Sequence, residues 1–172
     1  QLPLPRSLQA EGSEDSFIRT LSQMQDDLRR DYVTGAYNAV YLNEQYRPIA
    51  ERAAMNGTPV GVVMVRVNEY WQLREHESDS AANCCLNMAA GILQLAVGPD
   101  HDKAVLARLN DGFFAIVTIG TPAARMAQTV REAMNDSRRE FNISLSRRGS
   151  FTVEIASAEW GETASWDMTL SL

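Results

Sequence analysis

One short stretch between two apolar runs limits the possible folds of this chain most: Arg108-Leu109-Asn110-Asp111-Gly112-Phe113-Phe114. The runs on either side, 104–109 and 113–119, combine β-branched, aromatic and other apolar residues, as strands do. Asn, Asp and Gly are the residues that best tolerate the positive φ angles of tight turns. The stretch therefore predicts a β-hairpin that turns at Asn110-Asp111-Gly112.

Helical periodicity precedes the hairpin in three places. A flexible lead over residues 1–12 is expected before a helix over 13–30, whose apolar face is Phe17, Leu21, Met24 and Leu28. Packing of that helix on the domain is the preferred interpretation, and a link to an upstream module or pairing with its own copy are the alternatives. A second helix ends at Asn56-Gly57-Thr58-Pro59, and a third spans about 80–96. Their expected apolar faces are Leu42, Tyr46, Ile49, Ala50 and Ala53 in the second and Cys85, Met88, Ala89, Ile92 and Ala96 in the third.

Strand patterns complete the order of elements. The nearly unbroken apolar run 60–67 predicts a central strand covered on both faces. After the hairpin, Thr121-Pro122 opens a fourth helix, 151–155 alternates as a strand does, and 166–172 alternates weakly. The inward side of the fourth helix is expected to be Met126, Val130, Ala133 and Met134. This order predicts an α/β (α+β) domain of the ferredoxin-like type, with two helices on one face of a mostly antiparallel sheet.

Composition excludes several functional classes. The net charge of −6, from 16 basic and 22 acidic residues without a long Lys/Arg cluster, argues against a nucleic-acid partner. No apolar run approaches the ~20 residues of a membrane span. Because the chain begins at Gln1, membrane contact is expected only through regions outside it. The adjacent Cys84 and Cys85 are interpreted as reduced thiols in the core of a cytoplasmic protein.

A stretch before the second helix resembles a known family. Asp31-Tyr32-Val33-Thr34-Gly35-Ala36-Tyr37-Asn38, followed by Tyr41-Leu42, is similar to the D-x-L-T-G-L-x-N-R-x-x-L opening of GGDEF domains, the bacterial diguanylate cyclases. In the same alignment, residues 108–115 stand where the family has R-x-G-G-[DE]-E-F-A. The resemblance covers about residues 25–157. It implies a nucleotidyl-cyclase palm over 31–172, preceded by a linker helix over 13–30.

The resemblance also implies which residues replace the family's metal ligands. This family makes cyclic di-GMP from two GTP molecules, one held by each subunit of a dimer, with two metal ions bound by carboxylates. Arg66 stands where the family has a metal-binding Asp at the end of the central strand, and Gly112 stands at the acidic third position of the signature. Because arginine repels a divalent cation and glycine has no side chain, the resemblance implies no metal, no cofactor and no catalytic residue here.

Positions for GTP recognition on the strand and the following helices differ as well. The second Asp of the family's strand motif corresponds to Asn68, the phosphate-binding Lys to Trp71 and the guanine-binding Asn to Arg74. The guanine-binding Asp of the next helix corresponds to Asn83. An amide accepts from the guanine N–H groups only weakly compared with a carboxylate, so these replacements predict weak recognition of guanine.

The signature turn and the family's inhibitory site are altered in the same comparison. The first two signature glycines correspond to Asn110 and Asp111, and the second acidic residue corresponds to Phe113. Asp111 is expected to repel a triphosphate. The R-x-x-D motif of the inhibitory site corresponds to His101 and Ala104, which cannot reproduce an arginine–guanine contact. The sequence therefore predicts no binding of cyclic di-GMP at that site.

Three functional hypotheses follow from these residues. The preferred one is a degenerate GGDEF domain without cyclase activity that serves as a regulatory or protein-interaction module, with an unidentified protein partner or a second copy of itself. The alternative is a non-catalytic sensor that holds a nucleotide or another anion with Arg66 and Arg74. The third is an active cyclase whose metal ligands have moved to Glu69, Glu75 or Asp111, which the positive charge of Arg66 disfavours.

Two structural alternatives bear on these hypotheses. The arginines at 66 and 74 are predicted to form salt bridges with Glu69, Glu75 or Glu77 in preference to binding an anion. Trp71 is either an exposed anchor for a protein partner or a cover over the emptied pocket.

Overall fold

The computed structural model describes residues 6–145 and 151–160 of the chain. Within them lie a long first helix, a five-stranded sheet and helices on both of its faces. The helices are α1 Arg6–Arg29, α2 Ala39–Tyr41, a π-helical turn Leu42–Tyr46, α3 Arg47–Met55, α4 Tyr70–His76, α5 Asp79–Val97 and α6 Ala123–Leu145. The strands are β1 Tyr37–Asn38, β2 Val60–Val67, β3 Ala104–Asn110, β4 Phe113–Ile119 and β5 Val153–Glu159.

The sheet has the order β1-β3-β4-β2-β5, and only the short β1 runs parallel to its neighbour. The hairpin of β3 and β4 lies beside β2, and β5 pairs along the other side of β2. This arrangement confirms the predicted hairpin, the interior position of the strand over 60–67 and the mostly antiparallel α+β architecture.

Apolar side chains cover both faces of the sheet. On one face, α5 and α6 pack against alternate residues of β2 and β4, among them Val63, Val65, Phe114 and Ile116. On the other face, the helical segment from α2 to α3 covers Val60, Val62, Val105 and Val117. The prediction of two helices on one face is therefore correct for α5 and α6 and incomplete for the sheet as a whole.

The first helix is longer than predicted. It begins at Arg6, so residues 6–12, expected as part of a flexible lead, are helical. Residues 12–25 are all exposed, which shows that most of the described helix projects away from the sheet. The preferred prediction that its apolar face packs on the domain is therefore wrong, since Phe17, Leu21, Met24 and Leu28 all remain exposed. The helix ends at Arg29, close to the predicted boundary.

Two predicted core positions are wrong. Ile49 is 48% exposed, because the π-helical turn Leu42–Tyr46 adds a residue to one turn and rotates the following helix. Leu42, Tyr46 and Ala50 consequently share the buried face at a spacing of four residues. Cys84 is exposed while Cys85 is buried, because adjacent residues of a helix point about 100° apart.

Three further findings complete the comparison with the predicted elements. The segment around Tyr70 forms the short helix α4, which the sequence did not predict. By length and composition alone, α5 is apolar enough to span a membrane, with a mean hydropathy of 1.4, a property that core helices share. In this structure its buried residues face the sheet. The weak strand expected over 166–172 lies outside the described residues.

Candidate functional site

The site is built around the turn between β3 and β4. Asn110 pairs with Phe113 across it, and the register of the hairpin shifts between Arg108 and Asn110. Asp111 has a φ of 43°, the single positive value outside glycine in the described residues. Asp111 therefore supplies the left-handed conformation that the sequence pattern assigned to the turn as a whole.

Glycine is needed at position 112 because there is no room for a side chain, and not because of a positive φ angle. A Cβ added there would lie 2.9 Å from the Cβ of Tyr70 and 3.0 Å from the carbonyl oxygen of Val67. The carbonyl of Gly112 also accepts a 2.9 Å hydrogen bond from the Val67 N–H. Tyr70 is buried at the start of α4, so this side of the turn is closed against any larger residue.

Arg66 lies near the end of β2, directly between the turn and β5. Its backbone pairs with Phe113 on one side and Glu154 on the other. The guanidinium Nη2 lies 2.8 Å from a carboxylate oxygen of Glu154, and Nε donates to the side-chain oxygen of Asn68 at 3.1 Å. Arg66 therefore forms a salt bridge, as preferred from the sequence, but its partner lies on β5 and is none of the three predicted glutamates.

Residues just beyond β2 are tied to the start of β5. The side-chain amide of Asn68 donates to the hydroxyl of Thr152 at 3.0 Å, and its backbone N–H donates to the Thr152 carbonyl at 3.1 Å. Both carboxylate oxygens of Glu69 accept from Thr152, one from the N–H and one from the hydroxyl, each at 2.7 Å. Glu69 thus holds a loop in place, which argues against the disfavoured hypothesis that it serves as a relocated metal ligand.

Arg74 lies on the outer side of α4 and faces the turn. Its Nε donates to Asp79 at 3.2 Å, and its Nη1 lies 3.7 Å from a carboxylate oxygen of Asp111. The phenol of Tyr70 and, after it, the carboxylate of Asp79 raise the pKa of Arg74, so the guanidinium stays charged. As with Arg66, the predicted salt bridge is present with different partners.

Trp71 is 46% exposed on the same helix. Its ring meets the Tyr70 ring edge to face at 5.3 Å, and the Arg74 guanidinium lies 5.7 Å from its centroid. One side of the indole is therefore packed and the other faces solvent. Contact with a protein partner and cover over the emptied pocket, the two alternatives for this residue, both stay predictions.

A mostly buried ion pair joins the turn to the segment after α1. Arg108 Nη1 lies 3.1 Å from a carboxylate oxygen of Asp31, and both side chains are only 13% exposed. The same guanidinium donates to the carbonyl of Asp111 at 3.0 and 3.1 Å. Asp31 also accepts from the N–H and hydroxyl of Thr34, so one carboxylate organises both segments.

The remaining predicted residues lie apart from this cluster or show no contact with it. Asn83 is half-buried on α5. His101 is exposed before β3, with its ring edge-on to Tyr37 at 5.6 Å, and Ala104 is buried at the start of that strand. Within residues 6–145 and 151–160, no three His, Cys, Asp or Glu side chains lie close enough to hold a metal ion.

The comparisons with known proteins give the family. A model of the diguanylate cyclase GGDEF domain matches residues 28–169, most of the chain. This chain belongs to the GGDEF family. A sequence comparison with curated proteins gave no match.

Solved GGDEF structures share the fold of this domain. The coiled coil and GGDEF domain of DgcB from Caulobacter crescentus, in complex with c-di-GMP, aligns with a TM-score of 0.78 at 16% identity, covering 96% of this chain and 87% of that one. The FimX GGDEF domain from Pseudomonas aeruginosa aligns at 0.67 and 23% identity, covering 83% and 87%. Diguanylate cyclase SiaD in complex with its activator SiaC, from Pseudomonas aeruginosa, aligns at 0.70 and 16% identity, covering 96% and 63%.

This GGDEF domain brings most of the residues singled out from sequence to one place. Arg66, Asn68, Arg74, Asp111 and Gly112 surround the hairpin turn or the adjacent end of β2. Sequence reasoning missed their actual partners, which are Glu154, Thr152 and Asp79. It also missed the ion pair of Asp31 and Arg108, although both residues stand in the two motifs that carried the resemblance.

Proposed function

We propose that this chain is a degenerate GGDEF domain that does not make cyclic di-GMP and that acts as a regulatory or protein-interaction module in bacterial cyclic di-GMP-related signalling. The observation that carries this proposal is the pair of residues at the end of β2 and in the turn. Arg66 and Gly112 occupy the two positions where the resemblance places metal-binding carboxylates.

The packing around Gly112 strengthens the argument. A metal-binding carboxylate at this position needs at least a Cβ, and a Cβ here would collide with Tyr70 and the Val67 carbonyl. The surroundings, and not only the residue, are thus unsuited to a side chain that reaches a metal. Two divalent cations therefore do not fit the groups present at this site.

The cationic groups of the site are also already paired. Arg66 is bound to Glu154, and Arg74 is near Asp79 and Asp111. An incoming phosphate would have to displace these carboxylates and would meet the charge of Asp111. This arrangement disfavours the alternative in which Arg66 and Arg74 clamp a nucleotide or another anion.

The partner in this proposal is another protein. Trp71 leaves part of its indole exposed on α4, and aromatic residues of this kind are enriched in interface hot spots. We place the domain in the cytoplasm, the compartment that keeps Cys84 and Cys85 as free thiols, with any membrane attachment outside this chain.

The test is incubation of the purified chain with GTP and either Mg²⁺ or Mn²⁺, followed by chromatographic detection of cyclic di-GMP. No product above the protein-free background is expected. Turnover that is present in the wild-type chain and lost in Asp111→Ala would contradict the proposal and would favour an active site with relocated metal ligands.

Calorimetry with GTP and with cyclic di-GMP distinguishes a regulatory or protein-interaction module from a sensor that binds a nucleotide or another anion. No binding of either is expected at micromolar ligand concentrations. Tight binding that is lost in Arg66→Ala but kept in Arg125→Ala, a change of an exposed arginine on α6, would instead support the anion clamp.

A further inference from the structure

The outer side of α4 and the turn that follows it are largely uncovered by the rest of the described domain. All residues over 71–80 are exposed except Leu73, which is half-buried. Tyr70 and Leu73 pack into the core and fix the helix from its inner side. Trp71 is a large, partly apolar side chain on the outer side of this fixed helix. A partner that binds Trp71 therefore meets a surface that is already ordered, which lowers the entropy cost of binding.

The same surface is acidic. It carries Glu75, Glu77 and Asp79, and Asp111 of the hairpin turn lies beside it, whereas Arg74 is the one arginine over 71–80. The guanidinium of Arg74 is shared between Asp79, at 3.2 Å, and Asp111, at 3.7 Å. The carboxylates of Glu75 and Glu77 have no ion-pair or hydrogen-bond partner among the residues that the structure describes. Two carboxylates are therefore available for cations from outside this part of the chain.

Trp71 and Glu75 are placed to act together. They are four residues apart in one helix, so their side chains are neighbours on the same face. An indole ring attracts cations to its face and packs against the alkyl stems of Lys and Arg, and a carboxylate one turn away pairs with the charged end. Arg74 already approaches this ring, with its guanidinium 5.7 Å from the centroid.

The charges of the surface argue against other occupants. An acidic or phosphorylated partner would be repelled by the carboxylates of Glu75, Glu77 and Asp111. A wholly apolar partner would remove these carboxylates from water without giving them a cation, which is costly. A basic partner compensates them and covers the indole at the same time.

We propose that the outer side of α4 binds a Lys- or Arg-containing segment of another protein. The alkyl stem or charged group of one basic side chain lies on the ring of Trp71, and Glu75 and Glu77 pair with this and a neighbouring basic side chain. The inference rests on the proposed function for the existence of a protein partner, and it adds the chemistry of that partner and the surface it uses.

Fluorescence anisotropy with a labelled nonapeptide built from the repeat Arg-Ala-Lys tests the charge preference. The wild-type chain is expected to bind this probe with a dissociation constant below about 200 μM in about 50 mM salt, and more weakly as added salt screens the charges. A nonapeptide built from Glu-Ala-Asp is the matched probe and should not bind. A weaker constant for the basic peptide, or equal binding of both peptides, overturns the inference.

Variants of the aromatic residue show whether binding uses α4. Trp71→Ala is expected to raise the dissociation constant of the basic peptide at least about fivefold, and Trp71→Phe, which keeps a ring, only about twofold. Tyr32→Ala is the control, because Tyr32 is 97% exposed outside this surface. It should leave the constant unchanged. A smaller effect of Trp71→Ala, or an equal effect of Tyr32→Ala, overturns the inference.

Variants of the carboxylates separate a specific site from the general attraction of an acidic protein. Glu75→Gln combined with Glu77→Gln is expected to raise the dissociation constant at least about fourfold. Glu14→Gln combined with Asp15→Asn removes the same amount of charge from the exposed α1 and should change it less than about 1.5-fold. Equal weakening by the two double variants would show that only the net charge matters and would overturn the inference.

Sedimentation of the wild-type chain and of Trp71→Ala tests a second copy as the occupant. Self-association that is lost in Trp71→Ala would assign this surface to another copy of the chain and would overturn the partner named here. The outcomes also separate from those of the GTP assay. Absence of peptide binding without turnover contradicts only the basic partner, and turnover in a chain that binds the peptide contradicts only the non-catalytic function.

Discussion

Asp31 shows how one side chain organises two distant segments. Its carboxylate accepts from the N–H and hydroxyl of Thr34 and pairs with Arg108, whose guanidinium in turn holds the carbonyl of Asp111. Because both charges are largely removed from water, each depends on the other for compensation. The ion pair of Asp31 and Arg108 therefore links the turn after α1 to the β3–β4 hairpin.

Asp31→Ala is expected to lower the free energy of unfolding by about 3 kcal/mol, since it leaves the charge of Arg108 mostly buried and unpaired. Urea denaturation measures this change. Asp26→Ala, which removes the exposed partner of Arg30 at 3.7 Å, serves as the control and should cost less than about 0.5 kcal/mol. Equal costs would show that the Asp31 pair is energetically an ordinary surface pair.

Gly112→Ala is expected to cost about 1–3 kcal/mol, because the new methyl group must displace Tyr70 or the backbone of Val67. Gly91→Ala is the contrasting substitution, since nothing lies within 4 Å of a Cβ there and the residue is within α5. It should stabilise the protein by about 0.5–1 kcal/mol through helix propensity. Thermal and urea unfolding of the two variants check the difference, and a neutral Gly112→Ala would contradict the close packing.

At the scale of elements, the two adjacent cysteines of α5 lie on opposite sides of the helix, one facing the core and the other facing solvent. Cys85 packs among the buried side chains under the sheet, and Cys84 points outward. Burial is the main reason that the pKa of the Cys85 thiol rises to about 12, with a smaller contribution from Glu69. Because the raised pKa favours the neutral form, Cys85 remains a thiol at any physiological pH.

A thiol-reactive dye at pH 8 is therefore expected to label one cysteine per native chain rapidly and the second on the order of 10³-fold more slowly, when the fold opens. Cys84→Ser should remove the fast phase. Cys85→Ala should leave the fast phase in place, provided that the variant is folded by circular dichroism. Two fast thiols in the wild-type chain would contradict the assigned orientation of α5.

At the scale of the whole molecule, the sheet and its two helical layers form the stable body, and most of the described α1 lies outside it. Residues 12–25 are exposed, whereas the end of the helix is fastened by the side chain of Asn38, which donates to the Leu28 carbonyl at 2.8 Å. Removal of the projecting part should therefore have little effect on the folding of the sheet and its helical layers.

A chain that begins at Asp27 is expected to unfold cooperatively within about 5 °C of the full chain, as followed by circular dichroism. A chain that begins at Tyr32 also lacks Asp31 and should lose roughly 10 °C, given the free energy assigned to the buried pair. If the first truncation alone caused the larger loss, α1 would be part of the folding unit and not a projection from it.

The sequence by itself determined the elements whose signals are local. Turn residues between two apolar runs were enough to predict the hairpin, and an unbroken apolar run was enough to predict β2. The two motifs were enough to identify the family. It placed Ile49 in the core wrongly, because a π-helical turn shifts the periodicity in a way that an ideal helix pattern does not contain.

Only the tertiary structure decided which charges meet and which spaces are closed. Arg66 finds Glu154 and Arg74 faces Asp111 because strand register and helix placement bring together residues far apart in the chain. Gly112 is confined by Tyr70, which sequence spacing alone does not reveal. Local patterns specify secondary structure, whereas ion pairs and steric limits depend on distances that exist only in the folded chain.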